Sequence, residues 1–89
     1  MPFEFDPEKD ASNQLKLGVS LRFAAALDWE LAYVWIDDRF PYAEVRMIAL
    51  IPLGENLFYV AFVNRGDVRR VISLRRANNR ERKHYGEHA

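Results

Sequence analysis

The sequence contains no cysteine, so a disulfide framework and a thiolate metal site are both excluded. No apolar run reaches the roughly 18 residues of a membrane-spanning helix, and residues 1–7 lack the basic start and apolar stretch of a secretory signal. There is no glycine-rich phosphate loop, and His84 and His88 show no spacing with Asp or Glu that would hold a metal. We therefore expect a soluble cytoplasmic protein without cofactor or metal. We also expect a single domain over residues 1–89, because so short a chain cannot divide into two cores.

Charge is unevenly distributed, although the net charge is zero. Residues 1–64 carry a net charge of −5, whereas residues 65–84 carry +6. Such segregation indicates either a polyanion or acidic protein partner, or a basic segment that pairs with the acidic half of the same fold. From charge alone the two interpretations are equally good. The ten arginines against three lysines favour nucleic acid, because arginine binds phosphate in bidentate fashion and stacks on bases.

The residue pattern predicts an α+β fold with two N-terminal helices, an antiparallel sheet of four to five strands and one C-terminal helix. Asp6-Pro7 and Gly18 delimit a first helix over residues 7–17, Ser20 caps a second that ends near Trp29, and Asn78 caps the last. A short piece at Phe3–Phe5 is a candidate edge strand. The main strands are predicted at Leu31–Ile36, Val45–Ile51, Leu57–Val63 and Val68–Arg75, the last three as antiparallel neighbours.

Charged residues on these strands suggest one candidate chemistry. Alternation places Glu44 with Arg46 on one face, and Ser73 and Arg75 with Val71 on one face of the last strand. A carboxylate can take the proton of a ribose 2′-hydroxyl, and a guanidinium can stabilise the charge that builds on the phosphorane. A salt bridge on a solvated face is the alternative, and for an isolated pair it is the more frequent arrangement.

Three blocks of the sequence, with matching spacing over nearly the whole chain, resemble the BrnT family. The opening block contains Phe5, Asp6, Pro7, Lys9, Asn13, Lys16, Gly18, Val19, Ser20 and Ala24. The middle block contains Glu44, Val45, Arg46 and Ile48. The closing block contains Arg70–Ala77, Glu81, Arg82 and Tyr85.

The resemblance implies a RelE-like fold and an endoribonuclease toxin of a type II toxin–antitoxin system. It further implies neutralisation by a BrnA-type antitoxin, through which the complex binds operator DNA. Together with the chemistry above, it makes Glu44 the candidate base, Lys16 an electrostatic aid, and Arg46 and Arg75 catalytic phosphate ligands in a metal-independent reaction. The candidate RNA-binding residues are Arg70, Ser73, Arg76, Arg80 and Tyr85.

The sequence departs from the family pattern at one position that matters for proton transfer. The family's Lys-His-Gly is Lys16-Leu17-Gly18 here, and a leucine cannot transfer a proton. The alternative function is therefore a catalytically weak or silent partner that acts only in an operator-binding complex with its antitoxin. A plain RNA-binding module is a third possibility, which would bind RNA in a salt-dependent way without cleaving it.

Overall fold

The structure is a computed structural model, and it describes residues 2–88. The chain forms an α+β fold with one five-stranded sheet. The elements in chain order are β1 (Phe3–Glu4), α1 (Pro7–Leu17), two 3₁₀ helices (Leu21–Ala26 and Trp29–Leu31), β2 (Tyr33–Ile36), β3 (Met47–Leu53), β4 (Asn56–Arg65), β5 (Val68–Arg76) and α2 (Asn79–His88). In the part of the chain described here, no helix is long and apolar enough to cross a membrane.

The sheet has the strand order β1-β5-β4-β3-β2. Strands β2 to β5 are antiparallel neighbours, which confirms the predicted pairing of the last three strands. The prediction of a purely antiparallel sheet is wrong, because β1 pairs with β5 in parallel. The chain passes from β1 through the helices to the opposite edge and returns strand by strand, and β5 then runs in the direction of β1. The sheet is therefore mixed.

The first helix begins and ends where the sequence predicts. The Asp6 side chain accepts a hydrogen bond from the amide of Glu8, and Gly18 ends the helix at φ 74°, a conformation that favours glycine. The predicted second helix is wrong in type and length. Ser20 does cap it, but it is a 3₁₀ helix that ends at Ala26. Asp28 then starts a separate turn, and the Trp29 indole donates to the Ala24 carbonyl, which ties the two short helices together.

The two faces of the sheet have different coverings. We call the side under α1 and the 3₁₀ helices the helical face, and the opposite side the α2 face. The helical-face core comprises Leu21, Ala24, Leu27, Ala49, Ile51, Phe58, Val60, Phe62, Val71 and Leu74. The α2-face core comprises Ile48, Leu50, Leu57, Tyr59 and Ala61, against which Trp35, Ile72, Ala77 and Tyr85 pack.

A β-bulge in β5 reverses part of the predicted side-chain alternation. Ala61 pairs with Ser73 but Phe62 pairs with Val71, so Ile72 is an extra residue in β5. Ser73 and Arg75 share the α2 face as predicted. The prediction that Val71 joins them is wrong, because the extra residue places Val71 in the helical-face core.

Candidate functional site

The register of the strands brings three of the predicted arginines to the α2 face. Arg75 pairs with Tyr59, whose side chain belongs to the α2-face core. Val71 belongs to the helical-face core, so its neighbour Arg70 points to the α2 face. Arg46 directly precedes Met47, which packs on the helical face, so alternation turns Arg46 to the α2 face. Arg46, Arg70 and Arg75 therefore approach one surface from β5 and from the start of β3.

Each of these arginines has a carboxylate partner. Arg46 Nε lies 3.7 Å from Asp37, an Arg70 nitrogen lies 3.3 Å from Glu4, and an Arg75 nitrogen lies 2.8 Å from Glu81. The three side chains are 25%, 30% and 31% exposed, so they are half-buried rather than freely solvated. The carboxylates hold the guanidinium groups in place and neutralise part of their charge.

Asp37 organises one end of this surface. Its side chain is only 1% exposed and accepts two hydrogen bonds from the Arg39 guanidinium, at 2.7 and 2.9 Å, and one from the Tyr42 hydroxyl at 3.2 Å. The hydrogen bonds from Arg39 outweigh the effect of burial and lower the pKa of Asp37 to about 2. The sequence did not identify Asp37 or Arg39 as residues of a site. Their spacing of two residues is common in turns and carries no signal of burial.

The guanidinium of Arg46 is held by Asp37 and by an aromatic ring. It lies 4.7 Å from the centre of the Tyr42 ring, and its Nε is buried without a hydrogen-bond partner within residues 2–88. Among those residues the guanidinium makes no hydrogen bond, so its terminal nitrogens, unlike the buried Nε, keep donors for an anion.

Arg75 is held more tightly than Arg46. It forms two hydrogen bonds with Glu81, at 2.8 and 2.9 Å, and its guanidinium lies 3.9 Å from the centre of the Tyr59 ring. The hydrogen bonds with Glu81 raise the pKa of Arg75. Burial raises the pKa of Glu81, but hydrogen bonds from Arg75 and the Asn78 amide outweigh burial and lower it. Glu81 also forms a capping box with Asn78, the predicted cap of α2, so this cap and Arg75 depend on one carboxylate.

Glu44, the candidate base, lies outside the strand on which it was predicted to alternate. Because β3 begins at Met47, Glu44 belongs to the preceding loop, where it pairs with Arg65 through hydrogen bonds of 2.8 and 2.6 Å rather than with Arg46. The Arg65 guanidinium lowers the pKa of Glu44, which keeps the carboxylate ionised but makes it a weaker base.

Lys16, Ser73 and Arg76 lie along the seam between α1 and β5. Lys16 and Ser73 line an opening of about 210 Å³. Arg76 follows Arg75 on the opposite face of β5 and lines a second opening of about 500 Å³ with Phe23 and Phe58. Leu17 lines both openings. The structure thus brings Lys16 near Ser73 and separates Arg76 from the arginines of the α2 face.

The two candidates on α2 differ in their surroundings. Arg80 is exposed. Tyr85 donates a hydrogen bond of 2.9 Å to the Leu31 carbonyl and packs on the α2-face core, so it anchors α2 rather than offering a free ring for stacking. His84 packs edge-on against Tyr33 and Trp35. Over residues 2–88, no group of three or more His, Asp or Glu side chains could hold a metal ion.

The fold and the site together define a class of protein: a small α+β protein with a mixed five-stranded sheet and several arginines on one sheet face. The chain belongs to the BrnT family: the family model for the ribonuclease toxin BrnT of type II toxin–antitoxin systems matches residues 5–81. The predicted family is thereby confirmed. The match contains every candidate site residue except Tyr85. Membership of a type II system implies an antitoxin protein as partner.

A solved structure supports the same assignment. The crystal structure of the Brucella abortus ribonuclease toxin BrnT is similar to this chain with a TM-score of 0.66 and 27% sequence identity, over 89% of this chain and 99% of that one. A search of curated proteins finds no significant match. The α+β fold is therefore shared with a ribonuclease toxin along almost the full length of that protein.

Proposed function

We propose that this chain is a metal-independent endoribonuclease toxin that acts in the cytoplasm and inhibits growth by cleaving RNA. The observation that carries the proposal is the placement of Arg46, Arg70 and Arg75 on one face of the sheet, the α2 face, in a fold shared with a ribonuclease toxin. The predicted relation to RelE-like ribonucleases is part of the same proposal.

The proposed reaction needs only the RNA and the side chains of this chain. The ribose 2′-oxygen attacks the adjacent phosphorus while its proton passes to Glu44, and the bond to the 5′-oxygen of the next nucleotide breaks. The products are a 2′,3′-cyclic phosphate and a 5′-hydroxyl, which takes up a proton from water. The arginines stabilise the extra negative charge on the phosphorane, and Lys16 adds a more distant positive charge.

The three arginines are not equivalent in this scheme. Arg46 and Arg70 make ion pairs but no hydrogen bonds with their carboxylates, so both keep donors for a phosphate. Arg75 uses one N–H of each terminal nitrogen for Glu81 and the second N–H of Nη1 for the Arg76 carbonyl, so Nε and the second N–H of Nη2 remain for a phosphate. Ser73, Arg76 and Arg80 extend the RNA path beyond the scissile phosphate.

Arg75→Ala and Glu44→Gln test the proposal. Removing one such electrostatic or proton-transfer contact lowers the rate by about 10²–10³-fold, so each variant should lose growth inhibition and RNA cleavage in EDTA. Arg22→Ala is the matched control, because Arg22 is an exposed arginine on the first 3₁₀ helix. Full toxicity of both test variants, with melting temperatures like that of the control, would exclude the assigned roles.

The proposed inhibitor is a BrnA-type antitoxin that binds this chain directly. In this proposal the toxin reaches operator DNA only through the antitoxin. Co-purification of the two chains tests direct binding. Measuring the affinity of the antitoxin, of the toxin and of their complex for operator DNA tests whether the toxin binds DNA only through the antitoxin. Operator binding by the toxin alone would contradict the second.

One observation favours the alternative of a silent antitoxin-binding partner. Leu17 stands where the family pattern has a histidine, and the lowered pKa of Glu44 weakens the remaining base. Incubation of antitoxin-free protein with RNA and EDTA separates the alternatives. Cleavage supports the enzyme, and intact RNA together with tight antitoxin binding supports the silent partner.

A further inference from the structure

The helical layer leaves one end of the sheet uncovered. Val34 pairs with Ala49 and Ile36 pairs with Met47, and these two β3 residues are covered on the helical face. Val34 and Ile36, one strand further out, are 40% and 59% exposed. The helices therefore stop short of β2, where large apolar side chains point to water.

The same apolar surface continues into a cleft beside β2. Ile36, Phe40 and Val45 line an opening of about 240 Å³, and Phe40 and Val45 are each 63% exposed. Exposed apolar side chains that form a contiguous patch, rather than standing singly, often mark sites of protein interaction. We refer to Val34, Ile36, Phe40 and Val45 as the β2 patch.

The backbone of β2 adds a second binding feature. β2 is the last strand of the sheet, so the N–H and C=O groups on its outer side have no strand partner within residues 2–88. Natural edge strands are usually protected by lysine, proline or a bulge, and the sequence Tyr33–Ile36 contains none of these. The edge can accept an added strand.

The charges around β2 indicate which kind of partner strand could pair with this edge. Asp28 and Glu30 precede β2 and Asp38 follows it; all three are exposed, and none forms an ion pair with another described residue. If a second copy of β2 paired with the first in antiparallel fashion, Asp28 and Glu30 of each copy would lie near Asp38 of the other. Like charges that face each other across two strands are destabilising. RNA is repelled for the same reason. A partner strand with apolar residues flanked by Lys or Arg is attracted.

We propose that the antitoxin docks on this edge: an extended segment of it, apolar in alternate positions and flanked by basic residues, adds a strand to β2 and places an apolar side chain in the cleft. The proposal rests on the proposed function for the identity of the partner. The cleft also contains Tyr42, which packs on Arg46, and Glu44. An occupied cleft therefore contacts the proposed base directly, which couples docking to inhibition.

Substitutions in the patch test the proposal with the purified chain and a BrnA-type antitoxin that co-purifies with it. Ile36→Asp, and separately Val45→Ser in the loop outside any strand, should each weaken antitoxin binding by about 30-fold or more, as loss of a central apolar contact does. Leu15→Asp is the matched control, because Leu15 is an apolar residue of α1 that is 88% exposed. Unchanged affinity in both patch variants, with unchanged melting temperatures, would overturn the proposal.

Amide hydrogen exchange and light scattering complete the test. Exchange along residues 33–36 should slow when the antitoxin binds, and slowing confined to β5 and α2 would show that docking occurs elsewhere. A free chain that is dimeric through β2, with antitoxin affinity unaffected by Ile36→Asp, would assign the edge to a second copy and overturn the proposal. RNA cleavage is measured separately, so antitoxin docking at β2 by a chain that cleaves no RNA supports this inference while contradicting the proposed nuclease.

Discussion

Asp37 is a buried carboxylate on which two arginines depend. Asp37→Asn keeps the shape of the side chain but removes the charge that Arg39 and Arg46 face. We expect a loss of about 1–3 kcal/mol in the free energy of unfolding at pH 7. The lower part of that range is the better guide, because the Arg39 side chain is 61% exposed and its charge is screened by water. Urea unfolding measures the loss.

The effect of Asp37→Asn should depend on pH. The pKa of Asp37 is lowered to about 2 in the folded chain, against about 3.9 when unfolded, so its charge stabilises the fold fully above pH 4. That contribution is lost as the pH falls through about 2. The stability difference between wild type and Asp37→Asn should therefore shrink between pH 4 and pH 2. A difference that is constant over this range would show that the charge of Asp37 is not its cause.

Leu17 offers a test in which a substitution is expected to raise the rate of RNA cleavage rather than lower it. It lines the two openings of the α1–β5 seam, near Lys16 and Arg76. If the scissile phosphate reaches the α1–β5 seam and proton transfer limits the reaction, Leu17→His should raise the RNA cleavage rate on the order of 10²-fold, as a positioned acid or base does. Leu17→Gln is the control, because it is polar but transfers no proton. Equal rates for both variants would place the limiting step elsewhere.

The sequence predicted the arginines of the candidate site but missed the carboxylates that hold them. Arg46, Arg70 and Arg75 were identified by residue type and family pattern, and local alternation was enough to place Arg75 beside Ser73. The carboxylate partners of these arginines were missed: Glu4 is far from Arg70 in the chain, and the nearer Asp37 and Glu81 carry no local pattern that indicates an ion pair with an arginine of the site. Glu44 meets Arg65 only through folding of the loop before β3 onto the end of β4, and no local pattern encodes that contact.

At the scale of elements, the bulge in β5 and helix α1 are joined by one side chain. Asn13 donates to the Leu74 carbonyl at 2.8 Å and accepts from the Leu74 amide at 3.3 Å, so it acts as a strand partner just after the bulge. Its amide also donates to the Val19 carbonyl. Asn13→Ala leaves these buried backbone groups without partners and should lower the free energy of unfolding by about 2–4 kcal/mol.

A nearby substitution on the same helix controls for helix effects. Leu15→Ala removes an exposed side chain and should change stability by less than about 0.5 kcal/mol. Thermal unfolding of both variants gives the comparison. If Asn13→Ala is as stable as Leu15→Ala, Asn13 does not hold β5 against α1.

The elements were predictable to different degrees for physical reasons. Helix α1 carries strong signals at both ends, the Asp6 cap with Pro7 and the left-handed Gly18, and its predicted bounds are correct. The stretch Leu21–Ala26 has an apolar face that suits an α-helix, but the contact between Trp29 and Ala24 selects a tighter turn. The extra residue in β5 has no glycine to signal it, so the bulge and the position of Val71 could not be predicted.

On the scale of the whole molecule, both interpretations of the charge segregation are partly correct. Arg46, Arg65 and Arg70 pair with acidic residues of the first half of the chain, Asp37, Glu44 and Glu4. Other cations form no ion pair within residues 2–88 and lie along the α1–β5 seam or on α2. They are Lys9, Lys16, Arg76, Arg80, Arg82 and Lys83. The fold thus neutralises part of its basic segment and, among the residues described, leaves cations without ion pairs along the α1–β5 seam and on α2.

This distribution makes RNA binding measurable apart from cleavage. RNA with 2′-O-methyl groups cannot be attacked at the 2′-oxygen, so its binding reports the cationic surface alone. If Arg46, Arg70, Arg75, Arg76 and Arg80 each neutralise one phosphate, the logarithm of the affinity should fall against the logarithm of salt concentration with a slope of about −3.5. Arg70→Ala should make the slope shallower by about 0.7, whereas Arg22→Ala, on the first 3₁₀ helix, should leave it unchanged. A slope near zero for the wild type would mean that the arginines of the α2 face serve their carboxylate partners and not RNA.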